Sequence, residues 1–217
     1  MFIPRHPVVE NQFCSYGAVT SAAAAAGVGG VIAYAGSVVV LDSTATNQEP
    51  IVLKIAHSAS AQYPFGVLMQ KVKMGYHQVH PTGFVMPGDL GSSDVIAQPS
   101  YDSNGAINGT KEAPVGVAHM GIWDTVHYTC KMTASVIGSG DNMAPGDLLY
   151  AAADEGKLTN NGTNASVGTA ATDKANGAYV ANTTTAIGMV VKGASVAKCQ
   201  ANFNNTTLYP IRVKLYI

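Results

Sequence analysis

Pro-Gly-Asp-Leu occurs twice in this chain, at Pro87–Leu90 and Pro145–Leu148, and the repeated turn constrains the fold more than any other feature. Proline holds φ near −65° and glycine accepts positive φ, so the pair suits the two central positions of a type II turn. The aspartate that follows can accept backbone N–H groups at the turn, and the apolar residue after it starts a strand. Pro87, Gly88, Asp89, Pro145, Gly146 and Asp147 are therefore read as structural turn residues. A looser unit surrounds them. It opens with a glycine-led strand, "AGSVVVLD" from Ala35, "PGDLGSSDVIA" from Pro87 and "PGDLLYAAADEGKLT" from Pro145, and later places a glycine at the head of a second strand, at Gly66, Gly116 and Gly188. The opening and closing glycines are 30, 28 and 42 residues apart, and the third unit's excess is about the size of a low-complexity insertion. The later glycines are expected at bulges or close backbone crossings, where a β-carbon does not fit.

The rest of the chain fits the same picture. Short Val-, Ile-, Thr- and Tyr-rich segments alternate with Gly, Pro, Asn and Asp, which predicts an all-β fold of a small β-barrel or tandem β repeats. Alternation is clear in Asp124–Met132, and again at the end, where Ile211, Val213, Leu215 and Ile217 oppose Arg212, Lys214 and Tyr216. "AIGMVVKGASVAK" reads as strand, and only "SAAAAAG" has helix propensity. The expected organisation is an extended N-terminal arm at 1–17, a first barrel region at 18–140 and a second at 141–217, with one continuous domain as the alternative. A long loop of small polar residues is expected at 159–185.

The arm "MFIPRHPVVENQFCSYG" has no helical or alternating period, yet it is too apolar for a free tail. Phe2, Ile3, Val8, Val9, Phe13 and Tyr16 are its candidate contact residues, either gripping a neighbouring subunit or folding back on the chain itself. Charged residues are only 12% of the sequence, so much of the surface is built from small and uncharged polar side chains that are easily desolvated against protein. A net charge of −1 offers no field for nucleic acid or an anionic membrane. Ala18–Leu41 is uncharged and long enough to span a bilayer, but its alanines and four glycines contribute little transfer energy, and no membrane segment is expected. Cys14, Cys130 and Cys199 are odd in number and widely spaced, which reads as buried thiols in a reducing compartment.

The "G-x-V-V" strand, the polar stretch, the "a-x-G-V" strand and the "PGD" turn over Ala35–Lys198 together resemble the small β-barrel head-decoration (cement) proteins of tailed bacteriophages, and other glycine-punctuated virion proteins. That resemblance implies a non-enzymatic virion structural protein on the capsid surface, made in the host cytoplasm. Its partners would be the major capsid protein and further copies of itself, a trimer before a dimer. A neck or tail component shares these motifs. A secreted carbohydrate-binding or carbohydrate-cleaving β-sandwich is the alternative from another class, against which stand one tryptophan, Trp123, and 7% aromatics. A bacterial shell or surface-layer protein shares the assembly logic.

No catalytic, cofactor or metal residue is assigned. His77 and His80 are three apart on an expected strand and point to opposite faces, with no further Cys or His pair at metal spacing. His127 and Cys130 part for the same reason. "VIGSGDN" lacks the first glycine of a nucleophile elbow, and "GVGG" at Gly27–Gly30 precedes a strand instead of opening a helix after one.

Overall fold

The structure is a computed structural model and describes residues 2–4, 10–19, 30–46, 50–55, 63–75, 94–130, 142–152, 156–160, 186–203 and 206–217. The fold is all-β, as expected. Its strands are β1 (Phe2–Pro4), β2 (Glu10–Tyr16), β3 (Val31–Ala33), β4 (Val38–Leu41), β5 (Ile51–Lys54), β6 (Gly66–Leu68), β7 (Val72–Met74), β8 (Val95–Ala97), β9 (Pro99–Tyr101), β10 (Ile107–Thr110), β11 (Ala113–Thr125), β12 (Tyr128–Thr129), β13 (Leu148–Ala151), β14 (Leu158–Thr159), β15 (Gly188–Lys192) and β16 (Ile211–Tyr216). One helix, α1 (Val196–Phe203), is found among the described residues.

Hydrogen-bonded pairing runs from β11 to β2, β5, β4 and β6, and β6 returns to β11. This closed circuit of five strands is ring 1. A second circuit, ring 2, runs from the C-terminal half of β11 to β16, β15, β13, β14 and β12, and β12 follows β11 after a bend at Val126–His127. The thirteen-residue β11 thus ends one ring and begins the other. The junction of the two rings lies inside this strand.

The rings match in register. Val38 and Val39 pair with Val67 and Gly66, as Leu148 and Leu149 pair with Met189 and Gly188. Leu68 and Val67 face Val117 and Ala118, as Val190 and Met189 face Val213 and Lys214. Tyr16 lies beside Val52 in a parallel pair, as Tyr128 lies beside Leu158. Outside the circuits, Ala33 pairs with Val72 between β3 and β7, and the single bridge Met143–Ala194 holds the same place in ring 2. The turns match as well. Ser37 N–H donates to Tyr34 O (3.0 Å), Gly36 N–H to Leu68 O (2.8 Å) and Leu68 N–H to Ser37 O (2.8 Å). Asp147 N–H to Ala144 O (3.1 Å), Gly146 N–H to Val190 O (2.8 Å) and Val190 N–H to Asp147 O (2.9 Å) repeat that pattern. Gly36 and Gly146 carry φ of 96° and 93°, a conformation that glycine adopts without steric cost.

Matching strands bury matching residues. Cys14, Tyr16, Val39, Val52, Leu68, Val115 and Val117 share one core with β3, β7 and β8. Tyr128, Leu149, Leu158, Val190, Ile211 and Val213 belong to the other, which also takes in Val38, Val40, Val67, Met69 and Ala118 from the opposite face of ring 1. Ring 1 therefore packs its outer face onto ring 2. The alternation expected at the C-terminus appears in β16, with Ile211, Val213 and Leu215 buried.

Three expectations need correction. The unit occurs twice among the described residues: Gly116 lies within β11, a closing strand, and does not head a strand equivalent to β6 or β15. Pro87, Gly88 and Asp89 lie outside the described residues, as do "SAAAAAG" and 161–185. The alternation foreseen from Asp124 breaks at the Val126–His127 bend, because the chain turns there to pair with β14. The strand read through "GASVAK" ends at Lys192; Ser195 precedes a helix in which Val196 and Cys199, three apart, pack inward.

Candidate functional site

The N-terminal candidates divide. Residues 10–16 form β2, a strand of ring 1 paired to β11 and β5, and residues 2–4 extend along the same strand. Phe2 is buried and stacks on Trp123 with ring centroids 4.4 Å apart. Tyr16 is buried, and its hydroxyl accepts Lys54 N–H (3.3 Å). These two side chains belong to the core of the chain itself. Phe13 points outward and is 77% exposed. Ile3 lies on β1 opposite Asp124, and Val8 and Val9 lie outside the described residues. The segment is built into ring 1, where, among the described residues, β2 is the strand that stands between β11 and β5.

At the second turn, Asp147 Oδ2 accepts Ala144 N–H (2.8 Å) and Asn160 Nδ2–H (2.9 Å). The carboxylate closes the turn on itself. Asp42 and Asp102 act alike: Asp42 Oδ1 accepts from Thr44 N–H (2.9 Å) and Asp102 Oδ1 from Asn104 N–H (2.9 Å). The Thr44 hydroxyl and then its N–H hold the Asp42 carboxyl below its ordinary range. Burial opposes ionisation of Asp94, but hydrogen bonds and charge from Lys73 and Lys71 prevail and lower its pKa.

The cysteine expectation is corrected. Cys130 and Cys199 form a disulfide, with Cα atoms 6.1 Å apart and a sequence separation of 69. Ring 2 closes that distance by bringing α1 against β12, where Asn202 Nδ2 donates to Val126 O and Tyr128 O (3.1 Å each). Cys14 is buried and outside the bridge. A reducing compartment therefore no longer follows from the cysteines.

Among the described residues no group of three or more His, Cys, Asp or Glu is placed to hold a metal. His6, His57, His77 and His80 lie outside them. His127 Nε2 lies 3.1 Å from Ser37 Oγ, with both residues buried and Tyr34 stacked on the imidazole. This Ser–His contact joins the ring 1 turn to the β11–β12 bend. His119 meets Phe65 edge-on, and its buried Nε2 has no hydrogen-bond partner among the described residues. Asp124, paired to Arg212 (2.8 Å), links β11 to β16 at directly opposed register positions.

The surface feature that residue-by-residue reading missed lies on the outside of ring 2. Leu148 and Val191 are 44% and 41% exposed, and Tyr150 and Met189 are half-buried beside them. The signal was present: laying "AGSVVVL" over "PGDLLYA" gives apolar residues at the inward and outward positions of both strands. No helix among the described residues is long and apolar enough to cross a membrane. Comparison with protein-family models, curated proteins and solved structures returns no match.

Proposed function

We propose that this chain is a non-enzymatic structural protein of a phage virion, one that decorates the outside of the head and stabilises the shell, with the major capsid protein as its partner. The observation that supports this reading is the tandem of two equivalent rings welded through one strand, on a chain with 12% charged residues. Such a body presents related surfaces twice, at low desolvation cost, and many modest contacts over a lattice accumulate avidity. The turn aspartates are held by backbone groups, in keeping with a scaffolding role.

The test is co-sedimentation of the purified chain with expanded heads of the virus that encodes it, stripped of surface proteins. Saturable binding and a rise in the temperature at which heads release their genome are expected. Heads that neither bind the chain nor gain heat resistance would overturn the reading.

A further inference from the structure

We propose that the outer face of ring 2, built on Leu148, Tyr150, Met189 and Val191, docks a second copy of this chain. The contact would repeat between molecules the one ring 1 makes with ring 2 inside a single molecule. The inference stands on the fold and not on the virion reading.

The duplication supplies the argument. Strand register equates Leu148 with Val38, Tyr150 with Val40, Met189 with Val67 and Val191 with Met69. In ring 1 these four positions are buried together with Ala118, in one core with residues of ring 2. In ring 2 the same four positions remain apolar, yet no described part of the chain buries them as ring 2 buries their counterparts. A sheet face meant for water alternates to polar residues at such positions. Here only the fifth position changes, Ala118 giving way to the exposed Lys214. The face has kept the character of its covered twin and gained one charge, which suits a contact that forms between separate folded molecules.

The duplication also names what this face would meet. Ring 1 rests on ring 2 through Val38 N–H donating to Gly156 O (2.7 Å) and through the Ser37–His127 contact. Aligning Tyr16–Val52 with Tyr128–Leu158 equates Gly156 with Pro50 and His127 with Ser15. Pro50 and Ser15 are half-buried on the rim of ring 1, and Phe13, two residues before Ser15 on β2, is exposed. Leu148 of one molecule is therefore set against Pro50 of the next. Face and rim are different surfaces, so the contact is head-to-tail: each molecule keeps an unused face or rim until the chain of contacts closes.

Sedimentation velocity of the full chain over a range of concentration tests this directly. Assemblies of three or more copies are expected, with the double variant Leu148→Asp/Val191→Asp reduced to monomer. Phe13→Asp on the rim is expected to be monomeric too, and mixing the two variants to restore a dimer, since one retains a working rim and the other a working face. Tyr101→Asp, at an exposed position on the β9–β10 hairpin outside both rings, should assemble as the parent does. All altered side chains are exposed, and parental circular dichroism confirms folding. A monomeric parent, an assembly that survives both variants, or a mixture that stays monomeric overturns the proposal. A chain that assembles but ignores phage heads would defeat only the virion reading.

Discussion

Ring 1 and ring 2 share a strand order, a register and a turn, yet the connections around them are secured differently. In ring 1 the segments around Ala33 and Val72 grow into a sheet, β3–β7–β8, that adds Ile32, Met74, Val95 and Ala97 to the core. In ring 2 the matching segments meet at one bridge, Met143–Ala194, and are tied by the Cys130–Cys199 disulfide and the Asn202 hydrogen bonds. The packing adjusts in step. Ala33 with Val72 becomes Met143 with Ala194, a large residue moving to the other side of the pair, and Val39 with Leu68 becomes Leu149 with Val190. A five-strand circuit tolerates either arrangement because volume is exchanged between facing positions. One connection gains order by burying apolar surface, the other by a covalent tie.

The largest expected effect breaks ring 1 outright. Removing residues 1–17 deletes β2 and the Phe2–Trp123 stack, so a spliced-off arm would not leave the fold intact. Loss of a single cooperative thermal transition and a red shift of Trp123 emission are the expected results; an unchanged melt would show that β2 is dispensable.

Opening the covalent tie tests ring 2 by itself. Exchanging Cys130 and Cys199 together for serine should lower unfolding free energy in urea by about 2–4 kcal/mol, with hydrogen exchange rising in β12, β14 and α1 before it rises in ring 1.

The two strand-heading glycines sharpen the comparison further. A β-carbon on Gly188 would strike the Lys214 carbonyl, a backbone atom that cannot step aside, whereas on Gly66 it would meet the Val117 side chain first. Both alanine variants should cost about 1–3 kcal/mol, Gly188→Ala the more. Equal losses in denaturant melts would argue that Val117 is as immovable as a main chain.

The smallest effect comes from the paired tyrosines. Burial pushes Tyr16 and Tyr128 each up to about 12, with the Lys54 N–H partly offsetting this at Tyr16. A folded pKa above the unfolded value near 10 means full stability below about pH 10, lost as pH rises through about 12. Alkaline melts followed by tyrosinate absorbance should show this decline. Tyr128→Phe should flatten part of it, at the loss of about 1 kcal/mol for the hydrogen bond to Tyr209 O (3.0 Å) at neutral pH.

Much of the fold was legible in local chemistry. Glycine after alanine or proline announced the turns at Gly36 and Gly146, and the alternation of Ile211–Ile217 announced β16, because turn geometry and pleat are set by neighbours in sequence. What escaped was long-range. The helix at Val196–Phe203 is barely two turns long, too short for a period to stand out, and it is held by Cys199 and Asn202 reaching residues about 70 positions away. Gly116 resembled Gly66 and Gly188 in its surroundings, yet it sits in a different strand of the circuit. The outward apolar face at Leu148 and Val191 could be seen only once register showed which twin was covered.

By itself the sequence determined the strand content, the turn chemistry and the presence of a repeated unit, all properties of residues within a few positions of one another. Tertiary structure alone decided that the repeat is twofold among the described residues, that residues 10–16 form a strand of ring 1, that two distant cysteines meet, and that one outer face is buried while its twin is open. Those outcomes depend on which strand edges pair across a hundred residues. Backbone hydrogen bonds are the same for every partner, so the choice falls to packing that no local window contains.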